Sequence, residues 1–434
     1  MTAQHPSFTL RQQIASLLLY QSVLQTEVGR AFLDLLQSFQ QPNDGLNCLQ
    51  AYGRWFNALA ATGQSWQTSL LTQVLQADNA FTRQVEQVDL SGLPPALLSA
   101  AKQDLRTLQH LYTCPSTQLS KWVQAAAGLP VAPIAWDAPL NKIKNDHLST
   151  IQSKLEAMPD WADALDLMAA HYRVAGSGLF AIYHACRWQT GQLVGIACPD
   201  QIQLETLVGY ETQKETLIKN TDALLAGYPA LHVLLYGSRG SGKSSLVKAL
   251  LQAYRHQGLR VVEVAKADLQ ALPEIIDRLR DVPQKFIVFV DDLSFEEDDD
   301  AYKALKVVLE GNLTARPQNV VVYATSNRRH LIREFFGDRP RPSDADEIHT
   351  WDTLQEKLSF SDRFGLTLTF NPADQSTYLE IVRHLAQQAG IQIEPQDLEF
   401  RALQWATRHN GRSGRTARQF VDFLQAEIAL SQSY

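Results

Sequence analysis

The sequence predicts an α/β protein: a parallel sheet with helices on both faces, a helical segment after it and a mostly helical region before it. Three observations carry this expectation. From Leu231 onward, apolar runs alternate with stretches of helical periodicity, the pattern of a parallel sheet covered on both faces. The first run, His232–Tyr236, enters a glycine-rich turn, Gly237-Ser-Arg-Gly-Ser-Gly-Lys-Ser244, followed by a helical pattern over Ser245–Leu251. Residues 1–175 are rich in Leu, Gln and Ala and place apolar residues at three- and four-residue spacing, which reads as helix.

At 434 residues the chain is too long for one compact core, so two or three domains are expected. Residues 1–200 carry 26 Asp, Glu, Lys and Arg, and residues 201–434 carry 59, which separates two kinds of surface. Helices are expected over Leu10–Gln37, Leu49–Ala61 and Trp66–Leu75, with breakers at 41–45, 92–95 and 128–130. Leu179–Trp188 and Gln192–Ile196 flank Gln189-Thr-Gly191 and read as a β-hairpin. A helix ending near Leu225 follows. Strands are expected at 232–236, 259–264, 286–290, 320–325 and 366–370, and helices alone from 375 to 430. The domain boundaries follow: a helical N-terminal domain over 1–175, a hairpin and linker over 176–200, a core over 201–371 and a helical segment over 372–434.

The turn at 237–244 fits G-x-x-x-x-G-K-[ST] in the strand–turn–helix context that a phosphate-binding loop requires. Gly237, Gly240 and Gly242 let the backbone curl, so that the loop's N–H groups, those of Ser238, Arg239, Ser241 and Ser245 included, face one concave point. The helix N-terminus adds partial positive charge. Lys243 supplies a compact cation for β- and γ-phosphates, and the Ser244 hydroxyl is a magnesium ligand. The bland alternative is an ordinary Gly/Ser turn.

Phe286–Val290 is a continuous apolar run ending in Asp291-Asp292, at the strand edge where α/β folds bind ligands. Asp291 would hold the magnesium water shell and Asp292 would polarise an attacking water; the alternative is solvated acids capping a strand. The remaining acids up to residue 300 read as a solvated loop without the spacing of a calcium loop. A second buried run, Asn319–Asn327, ends in Asn327, placed to contact water or the γ-phosphate. Arg363, in Ser361-Asp-Arg-Phe-Gly365, is either a cation for a neighbouring subunit's γ-phosphate or a salt-bridging residue. Arg415 and Arg418, three apart at the head of a helix over Gln419–Ile428, are either phosphate contacts from a mobile lid or solvated charges.

In this order these residues resemble the AAA+ ATPase superfamily. The wording of residues 236–250, 291–296, 324–331, 361–366 and 413–420 is similar to a bacterial group of predicted ATPases, "domain of unknown function 815", over about 178–430. The resemblance implies an AAA+ P-loop core with a five-stranded parallel sheet and a C-terminal helical lid. It assigns Walker A to 237–244, Walker B to 286–292, sensor 1 to Asn327, the arginine finger to Arg363 and sensor 2 to Arg415 or Arg418. Leu207–Glu211 resembles the segment that lines the adenine pocket, so Val208 and Gly209 are inferred adenine neighbours. The superfamily usually has Glu where this chain has Asp292. Aspartate is one methylene shorter, so slow hydrolysis is expected unless Glu296 or Glu297 substitutes. The segment 266–273 lacks the aromatic loop of peptide-threading members, which argues against threading.

The resemblance therefore implies ATP and Mg2+ as ligands and a homo-oligomer with Arg363 acting in trans; it names no substrate and does not reach residues 1–175, which are expected to bind a macromolecular partner. The expected function is slow ATP hydrolysis coupled to remodelling or loading of that partner. The alternatives are an ATP-gated scaffold with little hydrolysis and a DNA-associated loader. The latter rests on Arg328, Arg329, Arg333, Arg339 and Arg341, which read first as subunit–subunit electrostatics and second as phosphate-backbone contacts. The net charge of −7 argues against a general coat for nucleic acid. The four cysteines, Cys48, Cys114, Cys186 and Cys198, form no C-x-x-C pair and suggest neither zinc nor redox chemistry. No signal peptide or membrane-spanning run is visible, so a cytoplasmic location is expected.

Overall fold

The computed structural model describes residues 6–40, 44–136, 146–295, 301–310, 316–327, 360–409 and 411–431. It divides into two compact units, Met1–Ile182 and Tyr183–Tyr434.

Among its described residues the first unit is helical: α1 Pro6–Ala15, α2 Glu27–Ser38, α3 Gly45–Thr62, α4 Trp66–Leu75, α5 Ala80–Gln87, α6 Pro95–Tyr112, α7 Ser116–Ala127, α8 Asp146–Glu156, α9 Leu165–Ala175 and α10 Gly178–Ile182. The single helix expected over Leu10–Gln37 is broken. α1 ends at Ala15, a 3-10 turn covers Tyr20–Leu24, and α2 starts at Glu27. The cause is tertiary. Asp104 on α6, fully buried, accepts hydrogen bonds from the backbone N–H groups of Leu18, Leu19 and Tyr20 at 2.7–3.1 Å. Amides held by a carboxylate are withdrawn from helix pairing. Thr26 then restarts the helix, its hydroxyl accepting from Gly29 N at 3.1 Å, an N-cap. Phe32 and Trp66 stack at 4.2 Å between ring centroids, and Trp55 lies 6.3 Å from each. Each such ring buries on the order of 200 Å², so this cluster anchors the core.

The second unit is built on one sheet: β1 Ala185–Gln189, β2 Gln192–Gly195, β3 Val233–Gly237, β4 Leu259–Glu263, β5 Lys285–Val290, β6 Val320–Ser326 and β7 Leu366–Phe370. The order is β2-β1-β4-β5-β6-β3-β7. The five strands expected between 232 and 370 are all parallel. The strand count is corrected from five to seven, because the hairpin joins the sheet. β1 runs parallel to β4 with Ala185 opposite Val261, and antiparallel to β2. The edge of β4 would otherwise expose unpaired N–H and C=O groups. The hairpin also starts later than expected, since residues 178–182 are α10. Its turn, Thr190-Gly191, has positive φ at both residues (49° and 77°), the hairpin turn that matches strand twist.

β5 and β6 are buried along nearly their whole length, as strands covered on both faces must be. The helices between strands are α11 Glu211–Leu225, α12 Lys243–Tyr254, α13 Leu272–Arg280 and α14 Ala301–Glu310. The C-terminal helices, α15 Gln375–Gln388, α16 Pro395–Arg408 and α17 Gly414–Ser431, close around a small core that includes Tyr378, Leu398, Phe420 and Leu424. No described helix is long and apolar enough to cross a membrane.

Candidate active site

β3 ends at Gly237 with φ 135°. A Cβ there would lie 2.0 Å from the Phe370 carbonyl oxygen, so only glycine lets the chain pass the end of β7 this closely. Ser238 N donates to the same oxygen at 2.9 Å. At Gly240 (φ 73°) a Cβ would meet Ser413 Oγ at 2.9 Å and Arg415 Cβ at 3.1 Å, so the loop tip lies against the head of α17. Gly242 (φ 92°) precedes α12 and gives it no side-chain cap. The first N–H groups of that helix therefore receive no side-chain oxygen at the cap, which leaves a terminus suited to an anion.

Lys243, only 6% exposed, donates from Nζ to Ser238 O at 2.7 Å, Gly237 O at 3.1 Å and Asn327 Oδ1 at 3.3 Å. Burial lowers its pKa, and the charges of Asp291 and Asp292 oppose that fall. Ser244 Oγ donates to Asp291 Oδ1 at 2.6 Å, and Thr325 Oγ1 donates to the same oxygen at 2.5 Å. The Asp292 N–H points to Thr325 Oγ1 at 2.9 Å and Asp291 Oδ1 at 3.2 Å. Asn327 Nδ2 donates to Asp292 Oδ1 at 2.7 Å. The neighbouring ends of β5, β6 and β3 thus bring Lys243, Ser244, Asp291, Asp292 and Asn327 into one hydrogen-bonded group.

That group forms one wall of a cleft of about 1160 Å³. Val208 and Gly209 line it on one side, and Arg239, Ser241 and Ser245 line it along the loop. Arg415 and Arg418 both reach it from α17. They sit within the first turn and a half of the helix, which begins at Gly414 rather than near Gln419. Arg363 is not among the cleft residues. It ends a 3-10 turn over Phe360–Arg363 and pairs with Glu310 on α14. Glu296 and Glu297, and the arginines at 328, 329, 333, 339 and 341, lie outside the described residues.

Several cleft residues escaped the sequence reading. Ile381, Leu385 and Gln388 on α15 line it at i, i+4 and i+7, a spacing indistinguishable in sequence from a core-facing stripe. Asp200 lines it too; its carbonyl accepts from Gln252 Nε2 at 2.6 Å and its carboxylate pairs with Lys248 at 3.4 Å, both on α12. Thr325 holds both acids, and only its position two residues before Asn327 hinted at this.

The residues fit a magnesium–nucleotide ligand. The glycine cradle and uncapped helix suit phosphates, Ser244 and Asp291 are hard oxygen donors, and Val208, Ile381 and Leu385 offer an apolar wall for a base. Among the described residues no cluster of three or more His, Cys, Asp or Glu is placed to hold a metal, so magnesium at Ser244 and Asp291 would depend on phosphate oxygens as further ligands.

A parallel β4-β5-β6-β3-β7 core, a glycine-rich phosphate loop after β3, acids after β5, an asparagine after β6 and a helical lid define an AAA+ P-loop fold. Within that class the chain belongs to the family described as "Protein of unknown function (DUF815)", whose model matches residues 181–428, more than half of its length. No curated protein matches the chain. Among solved structures it is similar to the Thermotoga maritima RuvB Holliday junction branch migration motor, at 16% identity and a TM-score of 0.38, over 53% of this chain and 66% of that one. Two single-substitution mutants of that protein match at 15% and 16% identity, each with a TM-score of 0.39, over 53% of this chain and 67% of theirs.

Proposed function

We propose that the chain binds ATP with magnesium in this cleft and hydrolyses it slowly, coupling nucleotide state to the remodelling or loading of a macromolecular partner. The observation that supports the reading most is the convergence of Lys243, Ser244, Asp291, Asp292 and Asn327 on a glycine cradle whose helix carries no side-chain cap. Lys243 exchanges the loop carbonyls for the β- and γ-phosphate oxygens. Ser244 and Asp291 hold magnesium, which when bound neutralises charge on the phosphates. Asp292 polarises the attacking water, and Asn327 fixes the orientation of its carboxylate. Arg415 and Arg418 carry the lid's response to the phosphates.

Arg363 lies off its own cleft, so its proposed phosphate contact is in a second copy of the chain. It must leave Glu310 to make that contact, which would tie turnover to assembly. The helical unit, residues 1–175, is the proposed partner-binding region.

A second reading, an ATP-gated scaffold with little hydrolysis, draws on Asp292 being one methylene shorter than glutamate and engaged by Asn327. Steady-state Mg-ATP turnover against protein concentration separates the two, with Lys243→Ala as the blank. Activity per subunit that rises with concentration supports a shared site. Tight ATP binding with turnover at the blank supports the scaffold.

A further inference from the structure

We infer that Thr325 is a positioning residue for the two acids that follow β5. The inference rests on the ATPase reading of the cleft and extends it to a residue outside the motifs. Thr325 is 2% exposed on β6. Its hydroxyl has one proton, given to Asp291 Oδ1 at 2.5 Å, and its lone pair receives the Asp292 N–H at 2.9 Å. A carboxylate oxygen accepts and a backbone N–H donates, so the hydroxyl gives its proton to Asp291 and a lone pair to the Asp292 N–H.

The consequence is a turn at Asp292 with φ 51°. A non-glycine residue adopts this conformation uncommonly, aspartate more readily than most, and here hydrogen bonds hold it. They are two bonds from the N–H, to Thr325 and Asp291, and one to the carboxylate, from Asn327. Turned this way, the short side chain of Asp292 meets Asn327 at 2.7 Å, and Asn327 in turn touches Lys243. Thr325 also gives Asp291 a second hydroxyl beside that of Ser244. One threonine thus sets the orientation of the metal-side acid and the aim of the water-side acid.

The same strand holds the exit of β5 by other bonds. Leu293 N donates to Thr325 O at 2.7 Å, and Ser326 Oγ donates to Leu293 O at 2.8 Å. These survive a change of the Thr325 side chain, so the isosteric Thr325→Val should fold.

The test compares wild type, Thr325→Val and Thr325→Ser in the full-length chain, each checked for a native melt. Thr325→Val is expected to lower kcat by about 10- to 100-fold, the cost of misplacing a reacting group by up to an ångström, with KM within about twofold of wild type. Thr325→Ser, which keeps the hydroxyl, should recover most of the loss. The second arm measures binding of a fluorescent ATP analogue against magnesium concentration. Half-maximal binding in Thr325→Val should need roughly 3- to 10-fold more magnesium, the scale of one ordinary net hydrogen bond. A folded Thr325→Val with wild-type kcat and wild-type magnesium dependence overturns the inference. Should Thr325→Val not fold, Thr325→Ala takes its place with the same expectations. Wild-type turnover no higher than the Lys243→Ala blank counts against hydrolysis alone, and the magnesium arm then decides on Thr325: a shifted requirement upholds it, an unchanged one overturns it.

Discussion

The helical unit and the sheet unit place their turns by different means. In the sheet unit the decisive turns are marked by the turning residues themselves, glycines at positive φ whose lack of a Cβ distant atoms require. Gly237 stands where a Cβ would strike the Phe370 carbonyl, and Gly240 where one would strike Ser413 and Arg415. In the helical unit the break between α1 and α2 is written far away. Asp104, 84 to 86 residues along the chain, takes the amides of Leu18, Leu19 and Tyr20. The difference teaches that a glycine loop shows its turns in the turning residues even where distant atoms demand them, whereas a break made by a distant carboxylate leaves no mark at the break itself.

If that contrast holds, damage should stay within the unit whose logic it offends. The largest effect is expected from Arg363→Ala. If Arg363 acts in trans as proposed, turnover should fall by about 10³-fold or more, the scale of losing an arginine finger, with ATP binding and the melting of the helical unit retained. Full turnover by this variant as a monomer would sink the trans contact. Next comes Asp104→Leu, which strands three backbone N–H groups. It should cost about 2–4 kcal/mol in denaturant unfolding followed by tryptophan emission, because five of the eight tryptophans precede residue 183. Its affinity for ATP should be that of wild type; a large change would break the comparison.

The smallest effect near neutrality is on pH dependence. His232 is pushed down to about 3 by burial and then by Arg316, and His184 to about 3 by burial and then by the nearby cations Arg260, Arg255 and His256. Their depressed folded values mean that the unfolded chain binds more protons below the ordinary value of 6.5. Stability is therefore full above pH 6.5 and lost progressively from there down to about pH 3. Both residues lie in the sheet unit, so from pH 7 to 6 its transition should weaken by roughly 1 kcal/mol while the tryptophan-reported one moves less. His232→Asn should flatten the slope.

The parallel core was legible because β3, β5 and β6 are short apolar runs that lead into chemically distinctive residues, Gly237, Asp291 and Asn327. The hairpin was legible as a hairpin but not as an extension of the sheet. Pairing of β1 with β4 depends on backbone groups, which carry no side-chain signature. Lys243, Ser244, Asp291, Asp292 and Asn327 were legible because spacing along a strand–loop–helix fixes where they go. Thr325 was hidden because a hydroxyl on a buried strand looks like any other β-branched residue. Ile381, Leu385 and Gln388 were hidden because the stripe that faces a ligand and the stripe that faces a core have the same period. The pairing of Arg363 with Glu310 depends on a side-chain contact that sequence spacing does not encode.

The central claim is that the cleft over the glycine-rich loop holds a magnesium nucleotide through Lys243. The most direct test is calorimetric titration of Mg-ATP into the wild-type chain and into Lys243→Ala, with unchanged melting of the sheet unit as the control for folding. The account predicts saturable binding of one ATP per chain in the wild type, and none detectable in the variant. Equal binding by both, or none by the wild type, would contradict it.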